Sequence, residues 1–351
     1  MPTCSQVDPN FKVEQRIQLP DVTFYNVQQN AQLLFGLSLD EQGFYRMKEA
    51  DAAKVNPDVL ELCRNTTGGR IRFVTDSSYV AIRVKSEQIE SPPHISATGY
   101  NGFDLYRNGV FCGIFPPPQN TAAGYESVIH FLEEGPAEIT IHYPVYSNVE
   151  HVEVGIQETA FLEEAPPFPV NKKVVFYGSS ITQGACVSRP GLTYVNHLAR
   201  KLGCDVFNLG FSGSARGETA MAEYIAALNP DVFVLDYEHN APTLDHLQKT
   251  HEAFYRTFRG LCPHTPILML SSPDLPFKRN SRTKRRNVIL ATLEKGNQAG
   301  DENLFFLDGE TFYPKAFWDS CSVDTVHPND MGHFFMAETI YPVLKTLLEK
   351  R

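Results

Sequence analysis

Across FLEEAPPFPV, Phe161 to Val170, the hydrophobic period of the chain changes, and no other feature limits its fold as strongly. Before this stretch the apolar residues alternate. In RIRFVTDSSYVAIRV, Ile71 and Phe73 fall on one side, and Val80, Ile82 and Val84 repeat the pattern; Ile139 and Ile141 do the same in AEITIHY. Short alternating runs bounded by Gly, Asp and Ser describe half-buried antiparallel strands. Asn108-Gly109 between two apolar runs marks a hairpin, because both residues tolerate the positive φ of a tight turn. Only Asp51 to Cys63 has helical character. Residues 1–165 are therefore expected to form an all-β sandwich of jelly-roll type.

After this stretch the apolar runs are continuous and alternate with helical segments. The expected strands are Val174–Tyr177, Val206–Leu209, Val232–Leu235, Ile267–Leu270 and Phe305–Leu307. Unbroken apolar strands are buried on both faces, as in a parallel sheet covered by helices. One helix is explicit: Leu244, Leu247, His251, Phe254 and Phe258 share a face, with Gly260 as its expected stop. Residues 172–351 thus predict an α/β domain of three layers, α/β/α. Prolines 166, 167 and 169 make residues 166–171 a stiff linker between the two domains.

Composition narrows the classes of function. The chain of 351 residues carries a net charge of −10. The charge is uneven: residues 1–171 hold 22 acidic and 11 basic side chains, and the remainder 19 and 20. Such a first half repels nucleic acid and anionic membrane, so neither is an expected partner. No apolar run approaches the roughly 18 residues of a membrane span. The start, MPTCSQVDPNFKVEQ, lacks a basic segment followed by an apolar core, which makes the cytoplasm the expected compartment. Seven cysteines without Cys-x-x-Cys spacing argue for packed, reduced thiols rather than disulfides or zinc. The basic run KRNSRTKRRN, Lys278 to Asn287, is either an anion patch or, as the better reading, the solvated start of a surface helix.

In parallel α/β sheets, chemistry gathers beyond the carboxyl ends of the strands. There the chain places Gly178-Ser179-Ser180, then Asn208 to Gly213, then Asp236-Tyr237-Glu238-His239-Asn240, and finally Asp324-Thr325-Val326-His327. Singly, each of these is ordinary turn chemistry. Together they supply what acyl transfer requires: a hydroxyl, a base, an acid to orient the base, and donors for an oxyanion.

GSSITQG, NLGFSGSARG, DYEHNAP and DTVHPND resemble the four signature blocks of the SGNH (GDSL-type) hydrolases. The first block of that family is usually Gly-Asp-Ser with the third residue as nucleophile. The resemblance implies Ser180 as nucleophile, with Ser179 where an aspartate usually stands. It implies Gly213 and Asn240, with the Ser180 N–H, as oxyanion donors, His327 as base and Asp324 as its orienting carboxylate. No metal or organic cofactor is implied. The third block departs from the usual Gly-x-Asn-Asp, reading Glu238-His239-Asn240-Ala241, which bears on the substrate. NGFDLY, Asn101 to Tyr106, resembles the Gly-x-Asp-Leu-Tyr signature of an N-terminal domain found with some SGNH esterases, bacterial carbohydrate esterases among them.

The function expected from these resemblances is a serine esterase that deacetylates O-acetylated carbohydrates, with a small-molecule or glycan ester as partner. A lipid esterase or thioesterase is the enzymatic alternative. A carbohydrate-binding protein on a hydrolase scaffold is the alternative outside enzymes. Arg189, Arg216, Glu238 and His239 are candidates for substrate contacts, with structural pairing the better reading for each. For Asp104, a structural hydrogen bond is preferred over a reach into the neighbouring active site.

Overall fold

A computed structural model describes residues 4–8, 12–87, 90–273 and 275–350. The first half forms two large antiparallel sheets and a two-stranded ribbon, Ser38–Asp40 with Gly43–Tyr45. One has the strand order Val22–Asn26, Val149–Gln157, Tyr79–Ser86, Tyr125–His130. The other runs Glu163–Glu164, Arg70–Thr75, Ala137–His142, Phe103–Arg107, Val110–Phe115, with the short strand Leu34–Phe35 also pairing with Arg70–Thr75. The alternating residues Ile71, Phe73, Val80, Ile82, Val84, Ile139 and Ile141 all lie in one core between the sheets. Asn108 and Gly109 turn the hairpin with φ of 50° and 77°.

The second half holds a five-stranded parallel sheet in the order Asp205–Gly210, Lys173–Gly178, Val232–Asp236, Ile267–Leu270, Leu304–Leu307. Successive residues of the first strand face opposite layers. Val175 and Tyr177 pack with Met221, Phe254 and Phe258, whereas Val174 and Phe176 pack with Leu198, Met336 and Leu344. Burial on both faces is why the run has no polar interruption. Lys173–Gly178 is first in the chain yet lies inside the sheet, between the second and third strands. Connections therefore leave it in opposite directions, and the crevice at its carboxyl end is the topological switch point.

Two local expectations are revised. The helix containing Phe254 spans Leu244–Leu261 and runs through Gly260, whose lack of a side chain does not stop it; Cys262 is the C-cap. The helical segment near residue 51 is two helices, Glu49–Val55 and Pro57–Leu62. Pro57 cannot continue the first helix, and the Asn56 side chain caps the second by accepting from Val59 N. Ala52, Val59 and Cys63 then pack with the α/β core. The proline segment, expected as a stiff linker, makes contacts of its own. Phe168 lies against Phe35 and the Arg72 guanidinium, so the segment is packed onto the sandwich. Six cysteines are free, four of them buried; the side chain of Cys4 lies outside the described residues. No described helix is long and apolar enough to cross a membrane.

Candidate active site

The strand Lys173–Gly178 delivers Ser179 and Ser180 into the switch-point crevice. Gly178 is required there, since a Cβ would fall 2.0 Å from Thr182 Oγ1 and 2.7 Å from Asp236 O. Ser179 is the N-cap of the short helix Ser180–Gln183, its Oγ accepting from Ile181 N. Aspartate is as good an N-cap as serine, which explains why either residue serves at this position. Ser179 is 1% exposed and its oxygen is engaged in the cap. The two adjacent serines are thereby separated: Ser180 alone presents its hydroxyl to a base.

His327 Nε2 lies 2.9 Å from Ser180 Oγ, within reach to accept its proton. Asp324 Oδ2 lies 2.7 Å from His327 Nδ1, and Asp324 Oδ1 accepts from the backbone N–H of Val326 and His327. Burial works to raise the Asp324 pKa, but these hydrogen bonds outweigh it and hold the group below the ordinary carboxylate value. The Asp324–His327 turn is tied at both ends, by the Ser322–Pro328 bridge and by Val323 N donating to His327 O. Thr325 has a φ of 70° inside it, strain that the surrounding bonds must hold. Asn329 caps the following helix Asp330–Glu349 and fixes where the turn ends.

Gly213 lies in the loop after the second strand with φ of 69°. Neither its N–H nor that of Ser180 donates to another described residue. Asn240 closes a 3₁₀ turn after the third strand, and its Nδ2 donates to Phe211 O at 2.8 Å, which orients the amide and leaves its second proton available. Ser180, His327 and Asp324 are joined by hydrogen bonds, while Gly213 and Asn240 follow the two strands that flank Lys173–Gly178 on either side. Free backbone donors and an amide held near an Oγ that is hydrogen-bonded to an Asp-oriented imidazole are the parts that a tetrahedral oxyanion requires.

All four candidate substrate contacts are engaged within the protein. Glu238 is buried, bonded to the Ser272 hydroxyl and backbone N–H, and its pKa is raised by burial. Arg189 pairs with Asp104 at 2.7 Å and lies over the Phe111 ring. Arg216 pairs with Asp58 and donates to Gly213 O, bracing the loop that carries Gly213. His239 is only partly buried and lies in the neighbourhood of His327. Burial, then the Arg282 guanidinium at 3.0 Å, pushes the His239 pKa well down, so its ring is neutral. The basic run lies in the first part of the helix Leu275–Gln298 with Lys278, Arg279, Lys284 and Asn287 exposed, as expected, but its other face turns inward: Arg282 meets His239, Arg285 donates to Glu238 O and Ala241 O, and Arg286 pairs with Asp308.

Asp104 is a buried hydrogen-bonding residue, as preferred, but its bonds cross between the two halves. One oxygen meets His142 Nδ1 at 2.8 Å; the other accepts from Arg189 and from Gly191 N. Burial opposes ionisation of Asp104, and the bonds from His142 and Arg189 overcome it and lower its pKa. The sandwich thus holds the loop that follows the helix Ser180–Gln183. Gln183 makes a second connection. It donates from Nε2 to Asn65 and Val145 of the first half, while its Oε1 accepts from Ser212 N beside Gly213. Gln183 and Arg46, which donates to Asn208 O and Gly210 O, are positioning residues that the sequence reading missed. Gln183 lies inside the first signature block, whereas Arg46 lies far from every block and carries no sequence signal.

Two family models match the chain: the GDSL-like Lipase/Acylhydrolase family over residues 171–345, and the N-terminus of Esterase_SGNH_hydro-type over residues 22–162. The chain belongs to the SGNH (GDSL-type) hydrolases. This SGNH hydrolase is similar over its whole length to a Bacteroides ovatus protein designated a GDSL-like lipase. The TM-score is 0.85 and the identity 27%, over 94% of this chain and 98% of the other. It also resembles a salicylyl-acyltransferase from a tetracycline biosynthetic pathway, with TM-score 0.75 and 20% identity over 93% and 95% of the chains. An acetyl xylan esterase of the rumen bacterium Butyrivibrio proteoclasticus gives TM-score 0.58 and 14% identity over 94% and 99%. At such identities the last two likenesses establish the fold. No curated protein matches the chain.

Proposed function

We propose that this SGNH hydrolase is a serine esterase that removes acetyl groups from O-acetylated carbohydrates through an acyl-enzyme. The observation that carries the reading is the hydrogen-bonded line from Ser180 Oγ through His327 to Asp324 at 2.9 and 2.7 Å. In this reading Ser180 attacks the ester carbonyl while His327 Nε2 takes the hydroxyl proton. Asp324 stabilises the imidazolium and keeps Nδ1 protonated. The N–H groups of Ser180 and Gly213 and the Asn240 amide receive the oxyanion. His327 then protonates the leaving sugar oxygen. A water, deprotonated by the same imidazole, attacks the acetyl-enzyme and releases acetate.

The carbohydrate part of the reading draws support from the domain plan shared with an acetyl xylan esterase. Polar groups around the nucleophile, Ser212 and the neutral His239 among them, suit a hydroxyl-rich alcohol better than an acyl tail. The test is a release screen comparing acetylated mono- and oligosaccharides with short- and long-chain acyl esters. Acetate release from the acetylated sugars at the highest kcat/KM is the expected result. A preference for long-chain esters would replace the reading with lipid hydrolysis. Absence of turnover on every ester would favour a sugar-binding role.

A further inference from the structure

The first half of the chain covers one edge of the parallel sheet, and its cover continues past the end of the sheet. Asp205–Gly210 is the edge strand on that side. Along it, in order, Arg70 pairs with Asp205 and donates to Val206 O, and Arg46 donates to Asn208 O and Gly210 O. These contacts protect a strand edge. Two residues beyond the strand, the Tyr146 hydroxyl meets Ser212 Oγ at 3.4 Å. Ser212 adjoins Gly213, so this contact protects no edge and lies on the side of the crevice.

Tyr146 does not stand there alone. Its ring is stacked on that of Tyr100, with centroids 4.5 Å apart and planes 10° from parallel. The backbone fixes the pair: Tyr146 N donates to Tyr100 O, and Val145 N to Gly99 O. Both tyrosines pack with Ala185, Cys186 and Val187, the segment that follows the helix Ser180–Gln183. Gly99 is pressed so closely on that segment that a Cβ would fall 2.1 Å from Val187 O. One residue later, Ser188 N donates to Asp330 Oδ1, three positions after His327. The stack is thus bordered both by the loop of Gly213 and by the segment that joins the Ser180 helix to the helix after His327.

The two rings differ in access. Tyr146 is 7% exposed and backs the stack. Tyr100 is half-buried, and its hydroxyl bonds to no other described residue yet is not sealed from water. Burial raises the Tyr100 pKa, so the hydroxyl stays neutral and offers both a donor and an acceptor. A ring held flat by its neighbour, with a wet polar tip, matches a ligand that is itself apolar on one face and polar at its rim. A pyranose is such a ligand: its C–H face packs on the aromatic ring and its hydroxyls meet the tip.

We propose that Tyr100, backed by Tyr146, is the platform on which the sugar ring of the ester substrate rests, so that the sandwich supplies a specificity-determining wall of the active site. This inference rests on the sugar-ester reading above and adds which half of the chain selects the alcohol. The hydrolase half holds the acyl group and the oxyanion; the sandwich holds the sugar.

The test compares kcat and KM of the full chain for glucose pentaacetate and for ethyl acetate, which has no ring. Tyr100→Ala should raise KM for glucose pentaacetate about tenfold or more, with a smaller change in kcat, and lower the preference over ethyl acetate by a similar factor. Tyr100→Leu keeps apolar bulk against Tyr146 without a ring and should do the same. Tyr100→Phe keeps the ring and should retain most of the preference, an ordering that misfolding cannot imitate. Arg64→Gln, at an ion pair elsewhere in the first half, should leave both constants unchanged. Equal losses on both esters, or an unchanged preference in Tyr100→Leu, would overturn the platform and leave the esterase reading standing. A wild type that hydrolyses glucose pentaacetate no better than ethyl acetate would overturn the sugar reading, and the platform with it.

Discussion

Two Asp–His pairs in this molecule share nearly the same geometry and differ in everything around it. Asp324 meets His327 Nδ1 at 2.7 Å, and Asp104 meets His142 Nδ1 at 2.8 Å. Both carboxylates fix the same tautomer, leaving Nε2 as an acceptor. At His327 that acceptor faces the Ser180 hydroxyl; at His142 it faces the Arg200 guanidinium at 3.3 Å. A hydroxyl can surrender its proton as it attacks a carbonyl, whereas a guanidinium keeps its own. The first pair is partly exposed, at 35% and 24% for its side chains, and the second is sealed at 0% and 0%. The carboxylate–imidazole unit is therefore no signature of catalysis by itself. What lies on the far nitrogen, and whether substrate can reach it, decides.

Substitutions of the two aspartates should separate these roles. Asp324→Asn should lower kcat by about 10⁴, as loss of the orienting carboxylate does in other Ser-His-Asp enzymes, with a melting temperature near that of wild type. Asp104→Asn should instead cost about 3–5 kcal/mol of stability by unpairing a buried charge, read from denaturant unfolding. If Asp104→Asn keeps wild-type stability, the sealed pair does not hold the two halves together. Next in size, Asn240→Ala should reduce kcat by roughly 10²–10³ through loss of one oxyanion donor. An unchanged rate would remove Asn240 from that site.

The smallest expected effect is on pH dependence. Burial pushes His142 down from 6.5 to about 4. Between those values the unfolded chain binds a proton that the folded chain does not, so stability falls as pH drops from 6.5 toward 4. His251 and His333, also pushed to about 4 by burial, add to the same slope. Melting temperatures should decline across that window, and His142→Asn should make the decline shallower. A profile that is flat from pH 6.5 to 4 would contradict a neutral buried His142.

The same contrast explains what the sequence could disclose. Asp324 and His327 are three residues apart in one turn, so their partnership is visible in the text of the chain. Asp104 and His142 are 38 residues apart and become neighbours only through the register of the strands Phe103–Arg107 and Ala137–His142. The five parallel strands were legible because burial on both faces removes polar residues from them. Ser180 was legible because a glycine turn and a family register agree there. Gln183 was not, since its role depends on Asn65 and Val145 arriving from the other half. The inward turn of Arg282 and Arg285 was hidden for a related reason: composition records their charge but not their facing His239 and Glu238.

The central claim is that Ser180, not its neighbour Ser179, is activated by His327. Intact-mass and peptide mapping after treatment with a phosphonate ester tests it most directly, with p-nitrophenyl acetate turnover measured alongside. One adduct on Ser180 in the wild type and in Ser179→Ala is the expected result, with none in Ser180→Ala or His327→Ala and turnover lost in both. An adduct on Ser179, or labelling and turnover that survive Ser180→Ala, would contradict the account.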